Sequence, residues 1–141
     1  MSYRFPSPEW TVAFKDAVNA NAAYREAGKP WTYGPVALVI RAQADLGIPQ
    51  DTGMLLDVHE GRCRGTQYVE GLEGVAAAEF IIIAEYAAWK SVLQGEVDPI
   101  RAMMEGQLDL RKGHLPTMIR FVEASRQLVA SALQVPTEFI A

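Results

Sequence analysis

The run Glu79-Phe80-Ile81-Ile82-Ile83-Ala84 constrains this chain most, because an almost unbroken apolar, β-branched stretch reads as a strand buried in a sheet. A second such run, Val36 to Ala42, is apolar on both alternating sets, with Val36, Leu38 and Ile40 against Ala37 and Val39. It is expected to be a central strand covered on at least one face. A sheet built on these strands needs a helical layer, and the flanking sequence supplies one. Ser7-Pro8-Glu9 is a helix start: a hydroxyl cap, proline at the first position and an acid near the positive end of the dipole. Trp10, Phe14, Ala17, Val18 and Asn21 follow at helical spacing, which predicts one helix to about Glu26, closed by Gly28 and Pro30.

Between the two apolar strands, Met54 to His59 and Arg62 to Arg64 flank Glu60-Gly61, a two-residue hairpin turn. That register sets His59 opposite Arg62, Val58 opposite Cys63 and Asp57 opposite Arg64. Asp57, His59, Arg62 and Arg64 then share a wet face, and Met54, Leu56, Val58 and Cys63 a dry one. After Ala84 the period changes. Tyr86 to Leu93 reads as a short helix stopped by Gly95, and Asp98-Pro99 starts another that Gly106 ends. Gln107 to Leu110 alternates as a short strand, and Leu115 to Leu133 reads as a long helix ended by Pro136. Strands and helices in this order give a segregated α+β fold rather than alternating βαβ units.

A length of 141 residues without repeats or linkers is one domain's worth of chain, residues 1–141. Thirteen Lys+Arg against 17 Asp+Glu give a formal charge of -4, which offers no electrostatic footprint for nucleic acid or an anionic membrane. The amino-terminal residues contain no apolar leader core, and Val75 to Ala84 is too short to span a bilayer and contains Glu79. A soluble protein without stable membrane insertion is expected. The single cysteine, Cys63, excludes an internal disulfide and fits a reducing cytoplasmic compartment.

The search for reactive chemistry returns little. His59 and His114 belong to no metal-binding spacing, and no metal or cofactor is expected. A Cys63/His59 nucleophile pair is ruled out by the hairpin register, which points the two side chains to opposite faces. No Gly-rich phosphate loop or nucleophile elbow is present. Glu79 and Glu85, at the ends of the apolar strand, are the carboxylates best placed for acid–base work if burial shifts them. What remains is an apolar surplus: Met54, Met103, Met104 and Met118, with Trp89, Phe80 and Phe121, on elements that could converge on one side of the sheet. It suits either a plain core or an adaptable ligand surface.

Trp89-Lys90-Ser91-Val92-Leu93-Gln94-Gly95-Glu96-Val97-Asp98-Pro99-Ile100, with Met103-Met104-Glu105-Gly106-Gln107-Leu108, resembles the sterol carrier protein-2 family. The family pattern is W-x-x-V/L-x-x-G-x-x-D-P, a hydrophobic turn, then G-x-L/I-x-L. Glu9-Trp10, the strand Val36 to Ala42, the Asp57-to-Arg64 hairpin and the closing Val135-Pro136-Thr137-Glu138-Phe139 resemble its single-domain bacterial members. The resemblance implies a five-stranded mixed, largely antiparallel sheet with helices on one face enclosing a hydrophobic tunnel. It also implies a non-enzymatic lipid-binding or lipid-transfer protein holding a fatty acid, fatty acyl-CoA, sterol or similar apolar ligand. Residues implied to line the tunnel are Phe80, Ile82, Trp89, Val92, Leu93, Ile100, Met103, Met104, Leu108, Met118, Phe121 and Val122. Arg101, Arg111, Lys112, Lys90 and Arg120 are candidates to meet a head group. The ending Phe139-Ile140-Ala141 is not a peroxisomal Ser-Lys-Leu-type signal.

Two other functions are compatible with the residues. One is a small enzyme or accessory subunit acting on a hydrophobic molecule through Glu79, Glu85 or a tyrosine. The other is an interaction module whose apolar helix faces bind another chain. Under any of these readings the chain is compatible with a homodimer.

Overall fold

The two apolar runs become neighbouring strands at the middle of the main sheet. A computed structural model describes residues 2–141. In chain order the elements are β1 (Tyr3–Phe5), α1 (Pro8–Ala20), α2 (Ala22–Ala27), β2 (Val36–Ile40), β3 (Thr52–His59) and β4 (Arg62–Glu70). They continue with β5 (Phe80–Ala84), α3 (Tyr86–Leu93), α4 (Pro99–Met104), β6 (Asp109–Lys112), α5 (Leu115–Arg120), α6 (Val122–Leu133) and β7 (Thr137–Phe139). The main sheet has five strands in the order β4-β3-β2-β5-β6. Only β2 and β5 run parallel, with Val36 level with Phe80 and Ile40 with Ala84, and the other pairs are antiparallel. This is the mixed α+β sheet expected of the family resemblance.

Alternation sorts the strand residues between two cores. Val36, Ile40, Met54, Leu56, Val58, Phe80 and Ile82 join the core shared with the helices. Ala37, Val39, Val69 and Ile83 form a smaller core on the opposite face, covered by Val75 and Ala78. Both faces of β2 and β5 are therefore dry, which accounts for their continuous apolar sequence. The hairpin has the expected pairs, Val58 with Cys63 and His59 with Arg62, while a bulge between Leu56 and Val58 offsets the rest of the ladder. Arg64 Nη2 still reaches Asp57 Oδ1 at 3.0 Å.

The structure corrects four boundaries. The first helix is two helices, because Asn21 leaves the helical path (φ -90°, ψ 103°) and caps α2, accepting from the Ala23 and Tyr24 amides. Its Nδ2 donates to the Gln127 carbonyl and the Ser131 hydroxyl, tying the break to α6. The long helix also breaks, at Phe121 (φ -102°, ψ 31°), into α5 and α6. Strand β6 begins at Asp109 rather than Gln107, because the Gln107 and Leu108 amides both donate to the Ala102 carbonyl and close α4 instead. Finally, Tyr3–Phe5 and Thr137–Phe139, not anticipated as strands, pair in parallel. There Trp10 Nε1 donates to Thr137 Oγ1 at 2.9 Å.

Candidate functional site

An apolar cavity of about 80 Å³ lies between the helical layer and the main sheet. Each wall follows from local sequence. Strand alternation turns Val36, Leu38, Val58 and Ile82 inward, and α3 brings Trp89, Val92 and Leu93. Helix α4 contributes Pro99 and Met103, the α4–β6 turn Leu108, and α5 and the following break Met118 and Phe121. Helix α6 closes the space with Ala124, Ser125, Leu128 and Val129.

The walls are anchored by satisfied polar groups. Trp89 Nε1 donates to the Val39 carbonyl at 2.8 Å, and Trp31 Nε1 to the Gly34 carbonyl at 3.0 Å. The Trp31 ring meets Phe121 edge-on at 4.9 Å and Phe80 at 5.0 Å. Helix α4 is fixed at its start by Asp98, which accepts from the Ile100 and Arg101 amides at 3.1 Å and from Arg126 Nε of α6 at 2.7 Å. Burial raises the Asp98 pKa, but the Arg126 guanidinium and the two amides outweigh it and hold the carboxyl below its ordinary value.

Of the residues proposed from the sequence, the structure brings Ile82, Trp89, Val92, Leu93, Met103, Leu108, Met118 and Phe121 to one cavity. Four others are not in its lining. Phe80 is buried one layer further out against Trp31, Ile100 is buried in the core, Val122 is half-buried, and Met104 is 63% exposed at the end of α4. The lining also holds Phe14, Tyr24, Trp31, Val36, Leu38, Val58, Pro99 and the α6 residues, none of which was placed there from the sequence. Helix and strand spacing marks these residues as inward-facing, Trp31 in the segment after α2 excepted, but only the pairing of distant segments separates cavity wall from filled core.

Polar chemistry stays at the margin. Glu79 and Glu85 are exposed and outside the lining. Tyr24 lines the cavity, and burial pushes its hydroxyl up to about 12. Cys63 is buried, with its Sγ 3.4 Å from the Gly65 carbonyl, and burial lifts the thiol to about 11. His59 lies 3.2 Å from Glu60, and His114 Nδ1 lies 3.0 Å from Thr117 Oγ1. Among the described residues, no group of three or more His, Cys, Asp or Glu side chains could hold a metal ion. No helix among them is long and apolar enough to cross a membrane.

The candidate head-group cations are dispersed. Arg101 pairs with Glu105, Lys90 donates to the Ala141 carbonyl, Lys112 to the Ala76 carbonyl, and Arg120 to the Tyr33 hydroxyl. Arg111 pairs with Asp109 at 3.2 Å.

No family model and no curated protein matches the chain. Solved structures do. A crystal structure of sterol carrier protein 2 is 36% identical, with a TM-score of 0.85 over 92% of this chain and 97% of that one. A conserved hypothetical protein of Thermus thermophilus, described as possibly a sterol carrier protein, is 35% identical with a TM-score of 0.85. That match covers 94% of this chain and 90% of the Thermus chain. The ubiquinone synthesis protein UbiJ-SCP2, at 12% identity and a TM-score of 0.53, shares the fold over 87% of this chain and 93% of its own. With sequence identity and near-complete mutual coverage added to the shared sheet and helix arrangement, the chain belongs to the sterol carrier protein-2 family.

Proposed function

We propose that this protein is a non-enzymatic carrier that holds one apolar ligand, a fatty acid, fatty acyl-CoA or sterol-like molecule, between its helices and sheet. The observation that carries the reading is the nearly all-apolar wall, built from elements at opposite ends of the chain. Each methylene moved from water into such a site is worth about 0.8 kcal/mol before the cost of ordering the chain. An acyl tail thus needs no dedicated polar partner inside. At about 80 Å³ the cavity is smaller than the roughly 300–1,000 Å³ of ligand pockets. A long tail therefore enters as lining side chains move apart, and the unbranched Met103 and Met118 are suited to that. The exposed positions of Glu79 and Glu85 favour holding the ligand over transforming it.

Displacement of a fluorescent fatty acid from protein delipidated under denaturing conditions and refolded tests this reading. Saturable one-to-one displacement by long-chain ligands is expected. Absence of saturable binding to any acyl or sterol ligand would overturn it.

A further inference from the structure

The inner cavity is not isolated. An open chamber of about 530 Å³ lies beside it, bounded by the end of α4, β6 and the start of α5. Met103 and Leu108 line both spaces and so form the partition between them. A second surface hollow of about 340 Å³, near Arg4 and Tyr68, shares no lining residue with the inner cavity. The outer chamber differs from the inner one in carrying charge: Arg41 and Asp109 stand in its wall.

The topology places these groups. Strands β2 and β5 are parallel and end level, so Arg41 and Glu85 emerge side by side, and the Arg41 amide donates to the Ala84 carbonyl. Strand β6 runs antiparallel to β5 and starts at the same edge with Asp109 opposite Ile83. Arg41 is loosely held there. Its Nη2 lies 3.5 Å from Asp109 and its Nε 3.6 Å from Glu85, long for charge-assisted hydrogen bonds. Asp109 meanwhile also accepts from Arg111 at 3.2 Å. A guanidinium has five N–H donors in a planar fork, and this one keeps most of them for a ligand.

We infer that the outer chamber is a head-group site in which Arg41 receives the carboxylate of a single-chain fatty acid whose tail passes Met103 and Leu108 into the inner cavity. This rests on reading the inner cavity as an acyl site. One negative charge suits the chamber better than two, because Arg41 is the one cation in its wall and the second charge of a dianionic phosphate would face Asp109 uncompensated. Arg120, which stacks over Tyr33 with its guanidinium 5.6 Å from the ring centre, lies outside both spaces and serves as the control cation.

The test compares dodecanoic acid with 1-dodecanol at neutral pH on the intact chain, by displacement of a fluorescent probe. Wild type should prefer the acid by about tenfold, the scale of one charge-assisted contact at a partly exposed site. Arg41→Ala should abolish the preference while leaving dodecanol affinity unchanged, and Arg120→Ala should keep it. Circular dichroism of each variant checks folding, and Arg41→Lys, which keeps the charge but not the fork, should retain part of the preference. Equal affinity of wild type for acid and alcohol, preference for the alcohol, or an unaltered preference in Arg41→Ala overturns the head-group site while leaving the carrier reading intact. Failure of wild type to bind either ligand overturns the head-group site, and the carrier reading falls with it only where longer acyl and sterol ligands also fail to bind.

Discussion

Asp98 shows how much one side chain does for the cavity, since it starts α4 and also ties α4 to α6 through Arg126. Its lowered folded-state pKa means that its contribution is fully present above the unfolded carboxylate range and is lost as pH falls through the folded value. Asp98→Ala should therefore cost about 1 kcal/mol at pH 7, the usual worth of a helix cap. The gap to wild type should close in acid, as urea unfolding at several pH values would show. Gly113 is a second pressure point. It has φ +120°, and a β-carbon there would lie 2.4 Å from Phe80 Cδ2, in a ring already packed on Trp31. Gly113→Ala should lower the thermal midpoint by the equivalent of more than about 1 kcal/mol. The Asp98-Pro99 cap was legible in the sequence because capping is local. Arg41 was not singled out, although it is the first charge after an apolar strand, because its neighbours come from β5 and β6.

Among the elements, α3 and the segment after α2 each place an indole in the cavity wall, Trp89 and Trp31, while Trp10 stacks on Phe14 beside the β1–β7 pair. Filling the cavity with an acyl ligand should alter intrinsic tryptophan fluorescence. The change should survive in Trp10→Phe and shrink in Trp31→Phe or Trp89→Phe. Met103 stands on the partition between inner and outer spaces, so α4 is the helix a tail must pass in the proposed carrier. Met103→Trp should weaken acyl binding by about tenfold or more while the fold persists, read by probe displacement with circular dichroism as the control. Element type was largely legible, since buried strands and amphipathic helices write their period into the chain. The breaks at Asn21 and Phe121 were not, because the apolar period runs on through both. What interrupts the helices is tertiary: Asn21 bonds across to α6, and Phe121 packs its ring on Trp31.

At the scale of the molecule, the two faces of the sheet do different work. The face covered by Val75 and Ala78 is a small filled core, whereas the helix-covered face holds the apolar space. That asymmetry was partly legible. The dry face Met54, Leu56, Val58 and Cys63 is as expected, and each of these is buried in the larger core. Which of its inward residues border empty space depends on how α6 lies against α3 and α4, a relation that no single segment encodes. A ligand bound only to the folded form must stabilise the whole chain, by about 2.7 kcal/mol at a concentration one hundred times its dissociation constant. A concentration-dependent rise in the thermal midpoint with fatty acid is therefore expected. The most direct measurement uses protein carrying 13C-labelled methionine methyls, titrated with a long-chain fatty acid and read by NMR. Intermolecular nuclear Overhauser contacts are expected from the acyl chain to the Met103 and Met118 methyls and none to the exposed Met104; contacts confined to Met104, or no contact to any methionine methyl at saturation, would overturn the cavity as the acyl site.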